Sequence, residues 1–318
     1  MQKYHLHRIK SHPALLEIAD TGSLNYKKMI QPLFVVEGLQ EREALPSLTN
    51  VFRETEDSIL EQIARDVAQG IQQFILFTIP KVKSDTLFPV DFYQRVIRKI
   101  KDAHPSIFLW LDTCICSVTT HGHCGQLDLD GKIDNLASVR RLSSLALIFA
   151  EAGADGIAPS DMMDGRVKSH RKILDDKSFH PVPIMSYSTK FKSTLYGPFR
   201  DAAESAPKFG DRSSYQLDVR DRSSAIYASL RDAEEGADFL MLKPGITSLD
   251  LIQPIREKTN LPIGAYQVSG EYAAINLLAE NHFLKREDGL VESWNVFRRA
   301  GVSFLITYAA REAKKIFS

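Results

Sequence analysis

The sequence has little that marks it for a special surface. Its 40 basic residues are matched by 40 acidic ones, so no bulk charge draws it to nucleic acid or to an anionic membrane. No apolar run approaches the roughly 20 residues of a membrane span. The opening Met1-Gln-Lys-Tyr-His-Leu-His-Arg8 lacks the apolar core of a signal peptide, so the cytoplasm is the expected location. There is no G-x-G-x-x-G turn, which counts against a doubly wound nucleotide-binding sheet. Cysteine is scarce, with three in 318 residues, and nothing suggests an oxidising compartment that would pair them.

What the chain does have is a rhythm. Strand-like apolar runs fall at Pro32–Val36, Phe74–Phe77, Ile107–Leu111, Gly156–Ala158, Pro183–Met185, Phe239–Leu242, Ile263–Val268 and Phe304–Ile306. Amphipathic stretches separate most of them: Glu56–Gln69, Phe92–Asp102, Leu136–Glu151, Ser223–Glu235, Leu249–Lys258 and Val291–Ala300. Alternating strand and helix implies a parallel sheet with right-handed crossovers, and eight such units fit a (β/α)8 barrel over residues 29–318. A weak repeat supports this. Gly70, Gly153, Gly236 and Gly301 each follow a helix and precede a strand, at the left-handed position that closes a helix. Seven residues on come Phe77, Ser160, Lys243 and Tyr308, so the last three share a depth at the C-terminal rim, where this fold does its chemistry. Residues 1–28 stand outside the pattern and show no strand. They are either a frayed terminus or an arm packed on another subunit, because Leu15, Leu16 and Ile18 would otherwise be exposed.

The three cysteines all lie in Leu111-Asp-Thr-Cys-Ile-Cys-Ser-Val-Thr-Thr-His-Gly-His-Cys-Gly125, just past the third strand. They are inert thiols, a disulfide plus a spare, or a metal site, and their place in a polar loop favours metal. Zinc suits thiolates. Three ligands make an open, catalytic site, whereas a fourth from His121 or His123 would make it structural. Lys243 ends the apolar strand Phe239-Leu-Met-Leu242. It either snorkels to the barrel mouth or is a desolvated amine able to form a Schiff base. Lys190, after the fifth strand, would depress its pKa further. Arg200, Arg212 and Gln216 lie in a long loop of lid character, where arginines suit a carboxylate or, equally, pair with Asp201 or Asp211 on the surface.

These residues fall in segments that resemble the 5-aminolevulinate dehydratase (porphobilinogen synthase) family over nearly the whole chain. They include His121-Gly-His-Cys-Gly125, Ala158-Pro-Ser-Asp-Met-Met-Asp-Gly-Arg-Val167, Ile184-Met-Ser-Tyr-Ser-Thr-Lys190, Tyr196-Gly-Pro-Phe-Arg-Asp-Ala-Ala203, Gly210-Asp-Arg212, Val268-Ser-Gly-Glu-Tyr272 and Ile306-Thr-Tyr308. The resemblance implies a barrel with an N-terminal arm for subunit contacts, commonly a homo-octamer. It implies condensation of two 5-aminolevulinate molecules to porphobilinogen with loss of two waters, on the route to haem and other tetrapyrroles. Lys243 matches the principal Schiff-base lysine and Lys190 the second lysine. Ser269 and Tyr308 match residues holding the carboxylate of the substrate at Lys243, and Arg200, Arg212 and Gln216 match those holding the other carboxylate. Asp112 and Ser160 match residues near the substrate amino group. Cys114, Cys116 and Cys124 match the triad of the zinc-dependent branch.

Three positions depart from, or divide, the family. Val118 stands where a tyrosine is usual, and Leu195 where an aromatic is usual. Many members are stimulated by a second metal, magnesium, held by a glutamate fifteen residues ahead of the lysine, and this chain has Ala228 there. A methyl group offers magnesium no ligand. Arg231, on the same helical face, matches an arginine of the branch that lacks this ion, so allosteric magnesium is expected to be absent. Glu234 or Glu235 could still recruit the ion. The rival readings of the whole chain are a class I aldolase, which leaves the cysteines unexplained, and a non-catalytic zinc scaffold closed by a histidine.

Overall fold

Each of the eight apolar runs forms part of a strand. In the computed structural model, which describes residues 6–20, 22 and 24–317, they are β1 (Met29–Val36), β2 (Gln73–Ile79), β3 (Phe108–Thr113), β4 (Gly156–Pro159), β5 (Met185–Lys190), β6 (Phe239–Lys243), β7 (Ile263–Tyr266) and β8 (Phe304–Ile306). All pair in parallel in the order β4-β3-β2-β1-β8-β7-β6-β5. A single bridge, Ile157 to Ile184, joins the two remaining edges and closes the ring. The runs read as continuously apolar because helices cover their outer face while side chains fill the inside.

The filling is aromatic. Trp110 meets Phe239 edge-on across the ring at 5.7 Å, Phe108 tilts on Trp110 at 4.7 Å, and Phe239 meets Phe304 at 5.9 Å. Two glycines make room for this layer. A Cβ on Gly264 would lie 2.2 Å from the Phe304 ring, and one on Gly156 2.6 Å from Trp110. Gly70, Gly153, Gly236 and Gly301 all take positive φ, as the repeat predicts.

Some boundaries differ from the sequence expectation, for physical reasons. The fifth strand is not Pro183–Met185: it begins at Met185 and runs to Lys190. Its Ser186, Ser188 and Thr189 look like loop residues, yet all are buried under the helix Arg222–Glu234. Ser186 Oγ donates to Asp232 (2.6 Å), Ser188 meets Ser229 (2.9 Å), and Thr189 donates to the carbonyl of Ala225 (3.0 Å). Two helices, Arg166–Asp176 and Ser269–Glu280, have no counterpart in the expected pattern. Their cores lean on polar residues such as Arg166, His170 and Asn276, which hide the apolar period.

The terminal segment carries a helix, Pro13–Ala19. Leu15 and Ile18 are buried against the chain's own barrel, and only Leu16, 49% exposed, matches the exposure expected of all three. Gln73 ties this segment to the barrel interior, donating to the carbonyl of Ala14 (3.0 Å) and accepting from Trp110 Nε1 (3.2 Å). Arg8 pairs with Asp238 at 2.8 Å. Among the described residues, no helix is long and apolar enough to cross a membrane.

Candidate active site

The strand register sets the centre of the site. Lys243, the last residue of β6, lies directly beside Lys190, the last residue of β5. Lys243 is 4% exposed, and its Nζ sits among the rings of Tyr266 (4.3 Å), Phe199 (4.8 Å), Tyr196 (5.1 Å) and Tyr187 (5.4 Å). Burial, with the neighbouring Lys190 ammonium, lowers its pKa to about 7. A large share of the side chain is therefore a neutral amine at neutral pH. Lys190 donates to the carbonyl of Ser160, at the end of β4. Asp112, near the end of β3, faces both lysines. Burial raises its pKa to about 6 against the pull of Lys190, the Ser160 hydroxyl and Lys243, and its Oδ1 has no hydrogen-bond partner.

The cysteines converge beside Asp112. Cys114, Cys116 and Cys124 are buried, their sulfurs lie within 4.8 Å of one another, and Cys114 and Cys116 are 3.3 Å apart. Zinc held tetrahedrally at about 2.3 Å from each thiolate spaces its sulfurs about 3.8 Å apart, so the donor set fits the ion. Hydrogen bonds from Cys114 and Cys116 hold the Cys124 thiol well below its usual range, and the nearby Arg212 guanidinium adds to this. Both histidines are engaged elsewhere. His123 bonds Tyr215 Oη (3.2 Å) through Nδ1 and the carbonyl of Phe209 (3.1 Å) through Nε2. His121 Nδ1 accepts from the backbone of His123 (3.0 Å), and its Nε2 faces Asp85 (3.6 Å). Among the described residues the cluster thus brings together three candidate ligand atoms, all sulfur.

The long loop after β5 folds over this centre. Phe199, in the short helix Gly197–Ala202, meets Phe77 edge-on at 5.0 Å and tilts on Phe34 at 5.8 Å. With the loop in this position only about 10 Å³ of space remains between Asp112, Cys116 and Phe199. Outside it lies a vestibule of about 310 Å³ whose lining includes the charged side chains of Lys83, Arg200, Asp201, Glu204 and Lys208. Arg212 is buried and donates to the carbonyls of Gly122 (3.1 Å) and Ser205, while half-buried Arg200 donates to that of Ser193 (3.4 Å). Neither arginine's Nε has a partner. Gln216 is 4% exposed and neither end of its amide is bonded. Buried donors and acceptors left open in this way mark a place where a polar ligand completes them. Neither arginine pairs with Asp201 or Asp211. Lys192 takes Asp211 instead.

On the opposite wall, Ser269 opens the helix Ser269–Glu280, accepting from Phe199 N (3.0 Å) and donating to the carbonyl of Leu195 (3.2 Å). Tyr308, just past β8, accepts from Tyr266 Oη (3.2 Å). Val118 is buried and Leu195 packs on the core, so neither opens a gap. All twelve residues singled out in the sequence therefore lie on the C-terminal rim or the loop above it. The sequence reading missed the aromatic cage. Tyr187, Tyr196 and Phe199 stand in recognised segments, but their convergence with Tyr266 on one amine appears only when the ring closes.

The chain matches the delta-aminolevulinic acid dehydratase family over residues 3–316. It is 41% identical to the delta-aminolevulinic acid dehydratase of Bacillus subtilis (strain 168), across 99% of this chain and 98% of that one. It is also 41% identical to the protein of the same name from Escherichia coli (strain K12), across 95% and 94%. Among solved structures, delta-aminolevulinic acid dehydratase (porphobilinogen synthase) from Toxoplasma gondii ME49, in complex with the reaction product porphobilinogen, aligns with a TM-score of 0.87 at 35% identity, covering 97% of this chain and 90% of that one. With a family match over nearly its whole length and relatives of 41% identity, the chain belongs to the delta-aminolevulinic acid dehydratase (porphobilinogen synthase) family of lyases.

Proposed function

We propose that the chain condenses two molecules of 5-aminolevulinate to porphobilinogen through a Schiff base on Lys243, with zinc held by Cys114, Cys116 and Cys124. The observation that carries this reading is the caged Lys243 amine, with a pKa of about 7, beside three converging buried thiols. The neutral amine attacks the ketone of one substrate and loses water to give an iminium. Ser269 and Tyr308 hold that substrate's carboxylate. Arg200, Arg212 and Gln216 take the carboxylate of the second substrate, which answers their open hydrogen-bonding positions and orients its ketone. One carbon–carbon and one carbon–nitrogen bond form, and two waters leave in all. Asp112 has a pKa, about 6, suited to exchanging a proton with a substrate amine, and Ser160 stands beside it. Zinc, when bound, supplies a Lewis acid that polarises a carbonyl. Phe199 over Lys243 excludes water from the iminium.

The reading extends to a cytoplasmic homo-octamer of the zinc-dependent branch in which the N-terminal segment serves subunit contacts, and to a place on the route to haem. Incubation with 5-aminolevulinate tests the activity, and absence of porphobilinogen would sink it. Cobalt substitution tests the metal. Three sulfurs plus an exchangeable water are expected in the absorption spectrum, and a fourth protein ligand would return the site to a scaffold.

A further inference from the structure

The barrel has a weak seam. Seven of the eight strand pairs share a ladder of two or more partnered residues, whereas β4 and β5 meet only at the Ile157–Ile184 bridge, near their lower ends. Above that bridge no backbone ladder sets the distance between the two strands. Yet the top of this seam carries working groups. Ser160 follows β4, Lys190 ends β5, and Lys190 Nζ reaches across to the Ser160 carbonyl.

A second side chain, that of Arg166, also spans the gap. It is fully buried at the start of the helix Arg166–Asp176, and its guanidinium turns back under the turn that follows β4. On the β4 side Nη1 donates to the carbonyl of Met163 (3.1 Å), and Nε lies 3.7 Å from Asp161 Oδ2. On the β5 side Nη2 donates to the carbonyl of Tyr187 (3.2 Å) and to Ser186 Oγ (3.1 Å). Nη2 also meets Asp232 Oδ2 at 2.8 Å, from the helix packed over β5. Asp161 Oδ1 accepts from Met163 N (2.7 Å), which stiffens the turn beside Ser160. Tyr187, whose carbonyl Arg166 holds, presents its ring to both Lys190 (5.7 Å) and Lys243 (5.4 Å).

We propose that Arg166 is a positioning residue for the reaction: it staples the open β4–β5 seam and so fixes Ser160, Tyr187 and Lys190 against Lys243. The guanidinium touches none of the groups assigned to substrate. It acts on them through two backbones, the Met163 turn and the β5 strand. A planar fork with several donors can hold both sides of the seam at once, and an ammonium cannot. This inference rests on the Schiff-base reading given above.

The test is steady-state kinetics on zinc-loaded Arg166→Lys, normalised to folded chain, together with borohydride trapping of 5-aminolevulinate on Lys243. A misplacement of about an ångström costs about 10²-fold in rate, so kcat is expected to fall by that order while trapping on Lys243 stays near one per chain. Asp238→Asn is the control. It neutralises the buried partner of Arg8 at the other end of the barrel, keeps an amide oxygen to accept from the Ile184 backbone, and should lower Tm while leaving kcat near wild type. If Arg166→Lys does not fold, the double variant Arg166→Gln, Asp232→Asn leaves no unpaired charge between those two positions and takes its place. Retention of kcat within about threefold in the variant that folds overturns the proposal. So does a loss of trapping in parallel with kcat, or an equal loss of kcat in Asp238→Asn, because either is what general destabilisation gives. Wild-type protein that yields no Lys243 adduct and no porphobilinogen instead sinks the functional reading itself.

Discussion

The two ends of the barrel treat buried polar groups in opposite ways. At the N-terminal end, Asp238 accepts from Arg8 and from the backbone of Ile184, and Gln73 links Trp110 to the Ala14 carbonyl. At the C-terminal end, Asp112 keeps an open oxygen, Arg200 and Arg212 an open Nε, and Gln216 a wholly unbonded amide. Leaving such groups dry and unpaired opposes folding. The lower end closes its ionic groups within the chain, and the upper end leaves them for something outside it. Lys243 is the extreme case, an amine held in aromatic rings where an ammonium is disfavoured.

The sharpest way to break the comparison is therefore Lys243→Met. Loss of the nucleophile should lower turnover on the order of 10⁵-fold. Removing a poorly solvated amine should at the same time raise Tm, and borohydride should trap no substrate at this position. A variant that lost stability along with activity would show that the upper end is built like the lower. Next in size is the metal. Chelation, or replacement of Cys114, Cys116 and Cys124 together by alanine, is expected to abolish porphobilinogen formation. Zinc with a thiol reductant should restore only the chelated protein, and lead should compete for the sulfurs. Full activity of the triple variant without zinc would refute the assignment.

The pH response is a third, graded effect. With the Lys243 pKa near 7, kcat/KM should fall about tenfold per pH unit below that value, as the free amine is lost. The linked stability has a definite sign. Between pH ~7 and ~10.4 the unfolded chain binds the proton that the folded chain has released, so Lys243 makes stability rise with pH over that window. Its penalty is complete below the window and gone above it. Lys243→Met should lose this rise, so the difference between the two proteins' unfolding free energies carries it. At the lower end the expectation is reversed. Asp238→Ala leaves Arg8 buried and unpaired and should cost about 3–5 kcal/mol in denaturant unfolding, with kcat per folded chain unchanged.

The same contrast explains what the sequence discloses. Strands covered on both faces are spelled in plain apolar runs, so seven of them are close to their expected places. The exception, β5, is covered by a polar seam to Asp232 and Ser229, and its serines and threonine read as a loop. The rim residues are legible because chemistry restricts their type. A lysine ending an apolar strand and three cysteines in one loop have few bland explanations. The aromatic cage and the Arg166 staple are hidden, since their meaning lies in side chains meeting across strands distant in sequence. The terminal helix misleads for a related reason. Leu15 and Ile18 have no visible partner until the barrel floor exists to receive them.

The smallest effect is an absence of response, and it concerns the flank of the upper end. Ala228 is buried and offers no oxygen to a cation. One helical turn on, Arg231 is occupied with carboxylates. It pairs with Asp164, donates to Asp232 Oδ1 through Nη2 at 3.0 Å, and lies 3.8 Å from Glu235. Glu235, the acidic group that could otherwise recruit an ion, also accepts from the backbone of Lys168 at 3.2 Å. A fixed guanidinium thus stands among the acids that a divalent cation would need, and would repel it. Magnesium titrated into zinc-saturated protein is expected to leave kcat and the oligomer distribution flat. Ala228→Glu should bring in a magnesium dependence, and removing the competing cation with Arg231→Ala in the same chain should strengthen it. Saturable activation of the wild type that also tightens the oligomer would show that Glu234 or Glu235 binds the ion despite Arg231. The carboxylates on this flank would then be open to a ligand, as Asp112 is at the centre, rather than closed within the chain, as Asp238 is at the floor.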